Sequence, residues 1–494
     1  MAYMTFSDVR EADNWHYRGE GAANLVLAYH GCDPALIGKV LRLRKLVGNA
    51  EKISHGAKET PVLLPEEQVL WAEWPRMAAA TSTAELNHAY IADVLRPLLG
   101  DKHVDPGLLD SKRWGSIPIV TFMTIDHVTI DGHLEFVRVR LEKDKIVFVN
   151  QYDNDMSAPG PLTDILKELP PTITVEIKPK CGFLPVSPMI KEENLIKTTV
   201  CRFTMHQTLK LLQGKIKHIS KYSPLDLFSG SESGIYEAIC DLFMTPQNNL
   251  RIFSNGTEVF GDFDELSTSR EDAKVKLENV VKNSFPSGAE EPVVAFQKLI
   301  SHLLFRSKIL KKLLDVQKLD SIDIEGSIQA YEKFLKHLKS SAPFGTQVSL
   351  LNGSVTDPTG SPPQQTKPLN GTRHVNELRK FTKVPHTFEE CRTILRDFLI
   401  SATAKDCGIM VTLLPVGPMM THDISLPGSN VVTFSGRQYL YKVHLLDLDV
   451  KQLKKLPHYF QLDKEIVTAY RSCSFIDSSF FSPLPGCVAS LENS

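Results

Sequence analysis

The sequence predicts a mixed α/β (α+β) fold with two lobes, a small N-terminal lobe and a larger, mostly helical C-terminal lobe. Its 494 residues exceed what one ordinary hydrophobic core organises. A glycine-rich stretch, Gly19–Asn24, leads into a short apolar run, which is typical of a β-hairpin. Most of the chain from residue 192 to residue 338 has the apolar spacing of helices.

The N-terminal lobe, which we place at residues 1–128, is predicted to contain strands followed by helices. Strands are predicted over Leu25–Tyr29 and over Gly38–Arg44, where apolar and basic residues alternate. The apolar spacing becomes helical from Pro65 to Met77 and again from Ala84 to Leu99. The lobe therefore begins with a glycine-rich hairpin that helices follow.

The chain between residues 110 and 170 changes from helical spacing to strand patterns. Strands are predicted over Ile117–Val120, Leu134–Arg140 and Ile146–Val149, because Asp/Gly turns separate these apolar runs. No clear boundary between the lobes is visible here. Residues 129–171 are therefore treated as a hinge region of uncertain structure.

The C-terminal lobe, residues 172–494, is predicted to begin with a strand and to end with a helix and two further strands. The predicted elements are, in order, strand Ile173–Lys178, helix Glu192–Gln213, more helices up to Leu338, helix Phe388–Ala404, and strands Gly408–Leu414 and Tyr439–Leu446. Residues 340–375 are rich in Ser, Gly, Pro, Thr and Gln, a composition that cannot bury a core. This stretch is predicted to be a disordered insertion.

The composition excludes several classes of protein. Lys plus Arg number 56 and Asp plus Glu 58, a balance that argues against a protein devoted to nucleic acid. Eight cysteines lie far apart without a C-x-x-C pair, which favours a reducing compartment. The N-terminus has no apolar signal core, and no run approaches 18 apolar residues. We expect a cytoplasmic monomer without a membrane segment, and a nuclear pool stays open.

The first candidate site is the glycine-rich pattern Gly19-x-Gly21-x-x-Asn24. Glycines let backbone N–H groups approach phosphate oxygens where a side chain would collide. Taken alone, a tight turn without a ligand is the commoner explanation of such a pattern. The sequence has no Walker A motif and lacks both H-R-D-L and D-F-G, which argues against an ordinary protein kinase.

The second candidate site is a basic stretch, residues 176–221, which has nine Lys or Arg and three Glu. Within it, Arg202, His206 and Lys210 recur every four residues and should share one stripe of a helix. Such a stripe could hold several phosphates. A solvated basic face is the alternative, since lysines are normally exposed.

The third candidate is a pair of carboxylates next to predicted strands, Asp406 before Gly408–Leu414 and Asp447 after Tyr439–Leu446. Phosphoryl transfer needs one carboxylate to orient or deprotonate the attacking hydroxyl and another to hold Mg²⁺. Either residue alone could equally be a turn or capping aspartate.

Seven segments stand out by their sequence and their order along the chain. They are Trp15–Gly21, Val175–Phe183, Met205–Gln207, Ser223–Gly230, Pro246–Asn249, Thr403–Cys407 and Leu462–Lys464. Together they resemble the inositol-pentakisphosphate 2-kinase family of the plant kind, with E-I-K-P-K-C-G-F as the most specific element. The resemblance covers about residues 13–105, 172–338 and 388–470.

The resemblance implies a two-lobed, kinase-like fold that transfers phosphate from ATP, with Mg²⁺, to the 2-hydroxyl of inositol 1,3,4,5,6-pentakisphosphate, giving inositol hexakisphosphate (phytate). It implies that Asp406 orients the hydroxyl, that Lys178 stabilises the developing charge, and that Asp447 and Asp406 hold the metal. The implied nucleotide-binding residues are Gly19, Glu20, Gly21, Ala22, Ala23, Asn24, Arg42, Glu176 and Asp447. The inositol phosphates would contact Lys178, Lys180, His206, Lys210, Asn248, Asn249, Arg251, Lys451, Lys455 and Tyr459, together with Arg202 of the basic stripe.

The chain departs from the family pattern in three places. Residues 107–170 show no resemblance, so the hinge assignment to Asp126 and His127 depends on position alone. The plant-type Cys-x-x-Cys element is missing before the insertion, and we therefore predict no zinc. Lys455 stands where the family has Arg, which replaces a bidentate donor by a point charge.

Two other functions compete with the kinase. A catalytically inactive inositol-phosphate-binding protein with a kinase-like fold is the main alternative, although the retained Asp406, Asp447 and Gly19–Asn24 argue against it. An inositol polyphosphate multikinase would carry a P-x-x-x-D-x-K-x-G element, which this sequence lacks.

Overall fold

A computed structural model provides the structure of the chain. It describes residues 14–20, 24–29, 39–44, 61–109, 121–124, 137–142, 145–150, 171–262, 269–282, 284–285, 291–340, 385, 387–416 and 430–474. Among these residues, two antiparallel sheets are combined with helices, so the predicted mixed α/β class is confirmed. Most of the predicted insertion and both predicted hinge residues, Asp126 and His127, lie outside them.

The described residues of the N-terminal region form a seven-stranded sheet with the order β4-β5-β3-β2-β1-β6-β7. The strands are β1 Trp15–Glu20, β2 Asn24–Tyr29, β3 Lys39–Arg44, β4 Leu108–Leu109, β5 Thr121–Thr124, β6 Val137–Glu142 and β7 Lys145–Asn150. The predicted pairing of Leu25–Tyr29 with Gly38–Arg44 is confirmed, because β2 lies antiparallel to β3. The predicted strand Ile117–Val120 falls outside the described residues.

Helical segments follow β3, and the predicted helix Ala84–Leu99 is confirmed as a continuous helical run over Thr83–Leu99 with a π-helical turn in its middle. The segments are α1 Pro65–Leu70, α2 Pro75–Ala78, α3 Thr83–Tyr90, a π-helical turn Ile91–Leu95 and α4 Arg96–Leu99. The predicted helix over Pro65–Met77 is wrong as a single element. Pro75 has no N–H to donate to the preceding turn, and it begins α2 at the first helical position instead.

These helices are fastened to the C-terminal part of the chain by backbone and side-chain hydrogen bonds. Asn87 Nδ2 donates to Asp449 Oδ1 at 2.9 Å, and the Leu453 N–H donates to Glu67 Oε1 at 2.9 Å. The Leu445 N–H donates to a carbonyl of the segment after α4 at 2.9 Å. Residues 61–107 therefore share contacts with the C-terminal elements, and the boundary at residue 128 stays a prediction.

The described C-terminal residues form a six-stranded antiparallel sheet with the order β10-β9-β8-β11-β13-β12. Its strands are β8 Ile173–Ile177, β9 Leu250–Ser254, β10 Thr257–Phe260, β11 Gly408–Pro415, β12 Asn430–Phe434 and β13 Arg437–Leu446. The strands predicted near residues 173, 408 and 439 are thus confirmed as β8, β11 and β13. One face of these strands, including Val175, Val411 and Val443, is buried in the main core.

Two hairpins of this sheet were missed by the sequence prediction. Residues 250–260 were predicted as helix, but β9 and β10 pair through a two-residue turn, Asn255-Gly256. Both turn residues have positive φ, 44° and 81°, as the tight turn of a β-hairpin requires. Ser435-Gly436 does the same between β12 and β13, with φ of 48° and 77°.

Helices cover the core-facing side of this sheet. They are α5 Arg202–Leu212, α6 Pro224–Leu227, α7 Glu232–Met244, α8 Arg270–Lys282, α9 Pro292–Ser307, α10 Ile309–Gln317, α11 Asp323–Ser340, α12 Phe388–Asp406 and α13 Leu456–Ser474. The predicted helix Glu192–Gln213 is wrong in its first half. A 3₁₀ segment, Glu192–Thr198, is followed by a break, because Thr198, Thr199 and Val200 are β-branched and disfavour helix.

Candidate active site

A cavity of about 340 Å³ brings together residues that are far apart in sequence. The loop after β8, helix α5, the end of α12 and the region around α13 all contribute to its wall. The predicted site residues that line it are Lys180, Arg202, His206, Lys210, Asp406, Lys451 and Tyr459. The three side chains of the α5 stripe are therefore half-buried at a cavity wall and not fully exposed.

Asp406 is the last residue of α12 and the catalytic carboxylate that the sequence predicts. Its Oδ2 lies 2.6 Å from the Lys451 ammonium, and its Oδ1 lies 3.5 Å from that of Lys180. Partial burial pushes the pKa of Asp406 upward, but the two ion pairs outweigh burial and hold the pKa below its ordinary value. The side chain is 59 % exposed, so the ionised carboxylate can still reach a molecule in the cavity.

Helix α5 presents Arg202, His206 and Lys210 to the cavity, as the four-residue spacing predicts. Burial and the neighbouring cations Lys210, Arg202 and Lys180 lower the pKa of His206 to about 4. The pKa of Lys210 is also lowered, first by burial and then by Lys180 and Lys215. Both groups are thus partly buried next to other cations, and both effects disfavour their protonated forms.

A buried ionic cluster lies beneath these cations and was missed by sequence reasoning. The Lys197 ammonium, only 4 % exposed, donates to Asp323, to Asp463 Oδ2 at 2.8 Å and to Glu325 Oε1 at 3.3 Å. The other oxygen of Asp463 accepts from Arg202 Nη1 at 2.6 Å. This second bond fixes the guanidinium of Arg202 at the cavity wall.

A second group of predicted residues lies on or directly after strands β8, β9 and β13. The strand register sets Glu176 of β8 opposite Arg251 of β9. Burial raises the pKa of Glu176; Lys178 offsets part of this shift, and Asp447 adds to it. Lys178, Asp447 and Arg251 therefore all lie within electrostatic reach of Glu176. The resemblance assigns Glu176 to the nucleotide, Asp447 to the metal and Arg251 to a substrate phosphate.

The two predicted metal-binding carboxylates occupy equivalent positions at the end of the sheet. Asp406 lies two residues before Gly408, which pairs with Leu446, and Asp447 follows Leu446 directly. Both carboxylates act on the thiol of Cys407, whose pKa is raised mainly by burial and then by these two charges. Both carboxylates therefore lie at the same end of the β11–β13 pair, and their binding of a metal stays a prediction.

Five predicted substrate residues do not line the cavity: Lys178, Asn248, Asn249, Arg251 and Lys455. Asn249 is 2 % exposed, and its Nδ2 donates to the Lys178 carbonyl at 2.9 Å, so it supports the loop from below. Asn248 and Lys455 are exposed. Their contacts with substrate stay predictions.

The predicted phosphate-covering residues are described only in part. Gly19 and Glu20 belong to β1, Asn24 to β2 and Arg42 to β3, where Arg42 pairs with Val26. The remaining residues of the predicted loop, Gly21, Ala22 and Ala23, lie outside the described part of the chain. Nucleotide contacts of this hairpin stay predictions.

Within the described ranges, no three His, Cys, Asp or Glu side chains converge in a way that could hold a metal by themselves. A magnesium site needs only one or two protein carboxylates when phosphates supply the other ligands.

Among the residues that the structure describes, no helix has the length and apolarity needed to cross a membrane.

Comparison with known proteins identifies one family. Residues 17–465 match the family model described as inositol-pentakisphosphate 2-kinase. The chain is 34% identical over 465 residues to the inositol-pentakisphosphate 2-kinase of Arabidopsis thaliana, covering 93% of this chain and 94% of that protein. It is 34% identical over 481 residues to the enzyme of that name from Oryza sativa subsp. indica, with 97% and 98% coverage. The Danio rerio enzyme is 27% identical over 533 residues, with 94% of each chain covered.

Proposed function

Because this chain belongs to the inositol-pentakisphosphate 2-kinase family, we propose that it phosphorylates the 2-hydroxyl of inositol 1,3,4,5,6-pentakisphosphate. The products are ADP and inositol hexakisphosphate. The observation that carries the proposal is the cavity in which Asp406 lies between the ammonium groups of Lys180 and Lys451.

The cation-rich wall of the cavity fits an inositol carrying five phosphates. Such a substrate packs many negative charges around one small ring, so its site needs several converging donors. Lys180, Arg202, His206, Lys210 and Lys451 line one cavity of about 340 Å³. Burial and then the neighbouring cations lower the pKa values of His206 and Lys210, and the second of these causes supports a wall rich in positive charge. A bound polyanion supplies the negative charge that offsets these cations.

Asp406 is the group that meets the reacting hydroxyl in this proposal. Its depressed pKa keeps it ionised at neutral pH, so it can accept the hydroxyl proton in a hydrogen bond and orient the oxygen for attack. Lys180 and Lys451 bridge the carboxylate and the substrate phosphates. Lys178, beside Glu176, stabilises the charge of the transferred phosphoryl group.

The nucleotide is proposed to lie between the β1–β2 hairpin and the strand edge that carries Glu176 and Asp447. Asp447 and Asp406 are the carboxylates that would hold Mg²⁺, which neutralises phosphate charge when it is bound. The two-lobed arrangement and its boundary near residues 129–171 belong to the same proposal.

Incubating the protein with Mg·ATP and pentakisphosphate tests the reaction and the substrate together. A sixth phosphate should be detected by anion-exchange chromatography, and phosphorus NMR should place it on the 2-position. Asp406→Ala should abolish turnover, while Asp272→Ala, on the exposed surface of α8, should leave it unchanged. Pentakisphosphate binding without any consumption of ATP would instead identify an inactive inositol-phosphate-binding protein.

A further inference from the structure

The backbone of the loop after β8 is held by buried side chains at three successive carbonyl groups. The donor and acceptor pairs are Asn249 Nδ2 with Lys178 at 2.9 Å, Tyr222 Oη with Pro179 at 2.8 Å, and Gln317 Nε2 with Lys180 at 2.8 Å. The three donors come from three different elements and are all at most 2 % exposed. The loop that carries both lysines is therefore rigidly supported on its inner side.

Gln317 differs from the other two donors because it also bonds the helix that carries Asp406. Its Nε2 donates to the Ala404 carbonyl at 3.1 Å, and its Oε1 accepts from the Gly182 N–H at 2.8 Å. Its own carbonyl accepts from Ser401 Oγ at 2.5 Å. One side chain thus connects the lysine loop to α12, two residues before the catalytic carboxylate.

We propose that Gln317 is a positioning residue that sets the separation of the Lys180 ammonium from the Asp406 carboxylate. The inference rests on the proposed function, in which both groups act on the same substrate. Gln317 is fully buried and cannot touch a ligand, so any effect must pass through the two segments that it joins.

The backbone of Lys180 supplies an independent reason for such a support. Its φ of 60° lies in the left-handed region, which costs a residue other than glycine about 1–2 kcal/mol. A conformation of this kind persists only where the surrounding structure enforces it. The hydrogen bond that Gln317 donates to the Lys180 carbonyl fixes that conformation and, with it, the direction of the side chain.

A glutamine is uniquely suited to this position. Its amide offers two N–H donors for the carbonyls of Lys180 and Ala404, and one oxygen for the N–H of Gly182. Glutamate has nearly the same shape, but it offers at most one O–H donor when it is protonated and none when it is ionised, so at least one of the two carbonyls loses its partner. Gln317→Glu therefore weakens the connection between the loop and α12 while it changes little volume.

The test compares Gln317→Glu with Tyr439→Phe, which removes one buried hydrogen bond from the Tyr439 hydroxyl to the Ser284 carbonyl. Tyr439 lies eight residues before Asp447 along β13, which is ~26 Å at ~3.3 Å per strand residue. For Gln317→Glu we expect kcat to fall ~10–100-fold, since displacements near 1 Å have effects of this size. Nucleotide affinity should stay within ~3-fold of wild type. Tyr439→Phe should change neither quantity by more than ~2-fold.

Separate values of kcat and KM distinguish positioning from a general loss of structure. If the Lys180 ammonium moves away from the Asp406 carboxylate, kcat should fall in Gln317→Glu while KM for ATP and the melting temperature stay near those of wild type. A folded Gln317→Glu variant with wild-type kcat would overturn the proposal. Parallel losses of kcat, nucleotide affinity and melting temperature would overturn it as well, because they indicate only a weakened fold.

Two further measurements keep the outcome decisive. If Gln317→Glu does not fold, Ser401→Ala replaces it, and an unchanged kcat in that variant refutes the positioning role. If the wild-type protein does not phosphorylate pentakisphosphate, the proposed function fails, and calorimetric affinity for pentakisphosphate decides the inference separately. A ~10-fold weaker affinity in Gln317→Glu then supports the role, and equal affinities refute it.

Discussion

Binding of pentakisphosphate should place a proton on His206 in mildly acidic solution. Burial and the nearby charges of Lys210, Arg202 and Lys180 lower the pKa of this imidazole to about 4. Phosphates that enter the cavity neutralise these cations and accept a hydrogen bond from the imidazolium. Both changes favour the protonated form and oppose the effect of burial, so we expect the pKa of His206 to return to about its ordinary value of 6.5.

The size of the effect follows from these two pKa values. At pH 5.5, a pKa of about 4 leaves ~0.03 proton on the imidazole, whereas a pKa of 6.5 gives ~0.9. Binding should therefore take up ~0.9 proton at His206. The substrate phosphates act in the opposite direction, because the cations favour their fully ionised forms and release protons. A His206→Gln variant retains a polar side chain that cannot be protonated, and it isolates the contribution of the histidine.

Calorimetric titration at pH 5.5, in two buffers with different ionisation enthalpies and without Mg·ATP, measures the net number of protons. Wild type should take up ~0.9 proton more than His206→Gln, and at pH 7.5 the difference should shrink to ~0.1. His302→Gln is the matched control, since His302 is bonded to Glu232 and does not line the cavity. Equal proton counts for wild type and His206→Gln at pH 5.5 would refute the expected protonation of His206 on binding.

Three further changes test other parts of the site. Lys451→Met should raise the pKa of Asp406 and move the acid limb of kcat/KM to higher pH, because the carboxylate loses its ion pair at 2.6 Å; Lys455→Met, which removes an exposed charge outside the cavity, should not. Gly182→Ala should lower the stability by ~1–3 kcal/mol in thermal denaturation, because its Cβ would lie 2.1 Å from the Phe228 ring; a wild-type melting temperature would contradict this. Lys197→Met should cost ~3–5 kcal/mol in urea denaturation at pH 7, because buried carboxylates lose their ammonium partner. That loss should diminish as the pH falls and these carboxylates are protonated, and a constant loss would contradict the explanation.

Local patterns account for the parts of the site that the sequence predicted well. The four-residue spacing of Arg202, His206 and Lys210 is enough to put them on one helical stripe, and the cavity confirms that they face it together. The Asn255-Gly256 turn was equally visible in the sequence. It was missed because the surrounding apolar spacing was interpreted as helical, although N-G between apolar runs is a strong hairpin signal.

Long-range partners could not be predicted from local patterns. Asp323 and Glu325 contact Lys197 from more than 120 residues away, and Gln317 contacts the lysine loop across 137. No periodicity links positions so distant. The role of Asn249 shows the same limit, since an amide next to a phosphate site looks identical in sequence whether it faces the ligand or supports the loop backbone.

The basic groups of the cavity are of two kinds, those paired with a carboxylate and those with a lowered pKa. This difference explains why we expect a polyanion as the ligand. Arg202, Lys405 and Lys451 each have a carboxylate partner at 2.6–2.7 Å, which fixes their direction before any substrate arrives. His206 and Lys210 instead respond to the shared field through lowered pKa values. A ligand with a single negative charge could compensate only one of these groups. A ring carrying five phosphates can pair with His206 and Lys210 and still contact the three cations that carboxylates orient. Its binding energy is therefore gained mainly at the two cavity groups that have lowered pKa values.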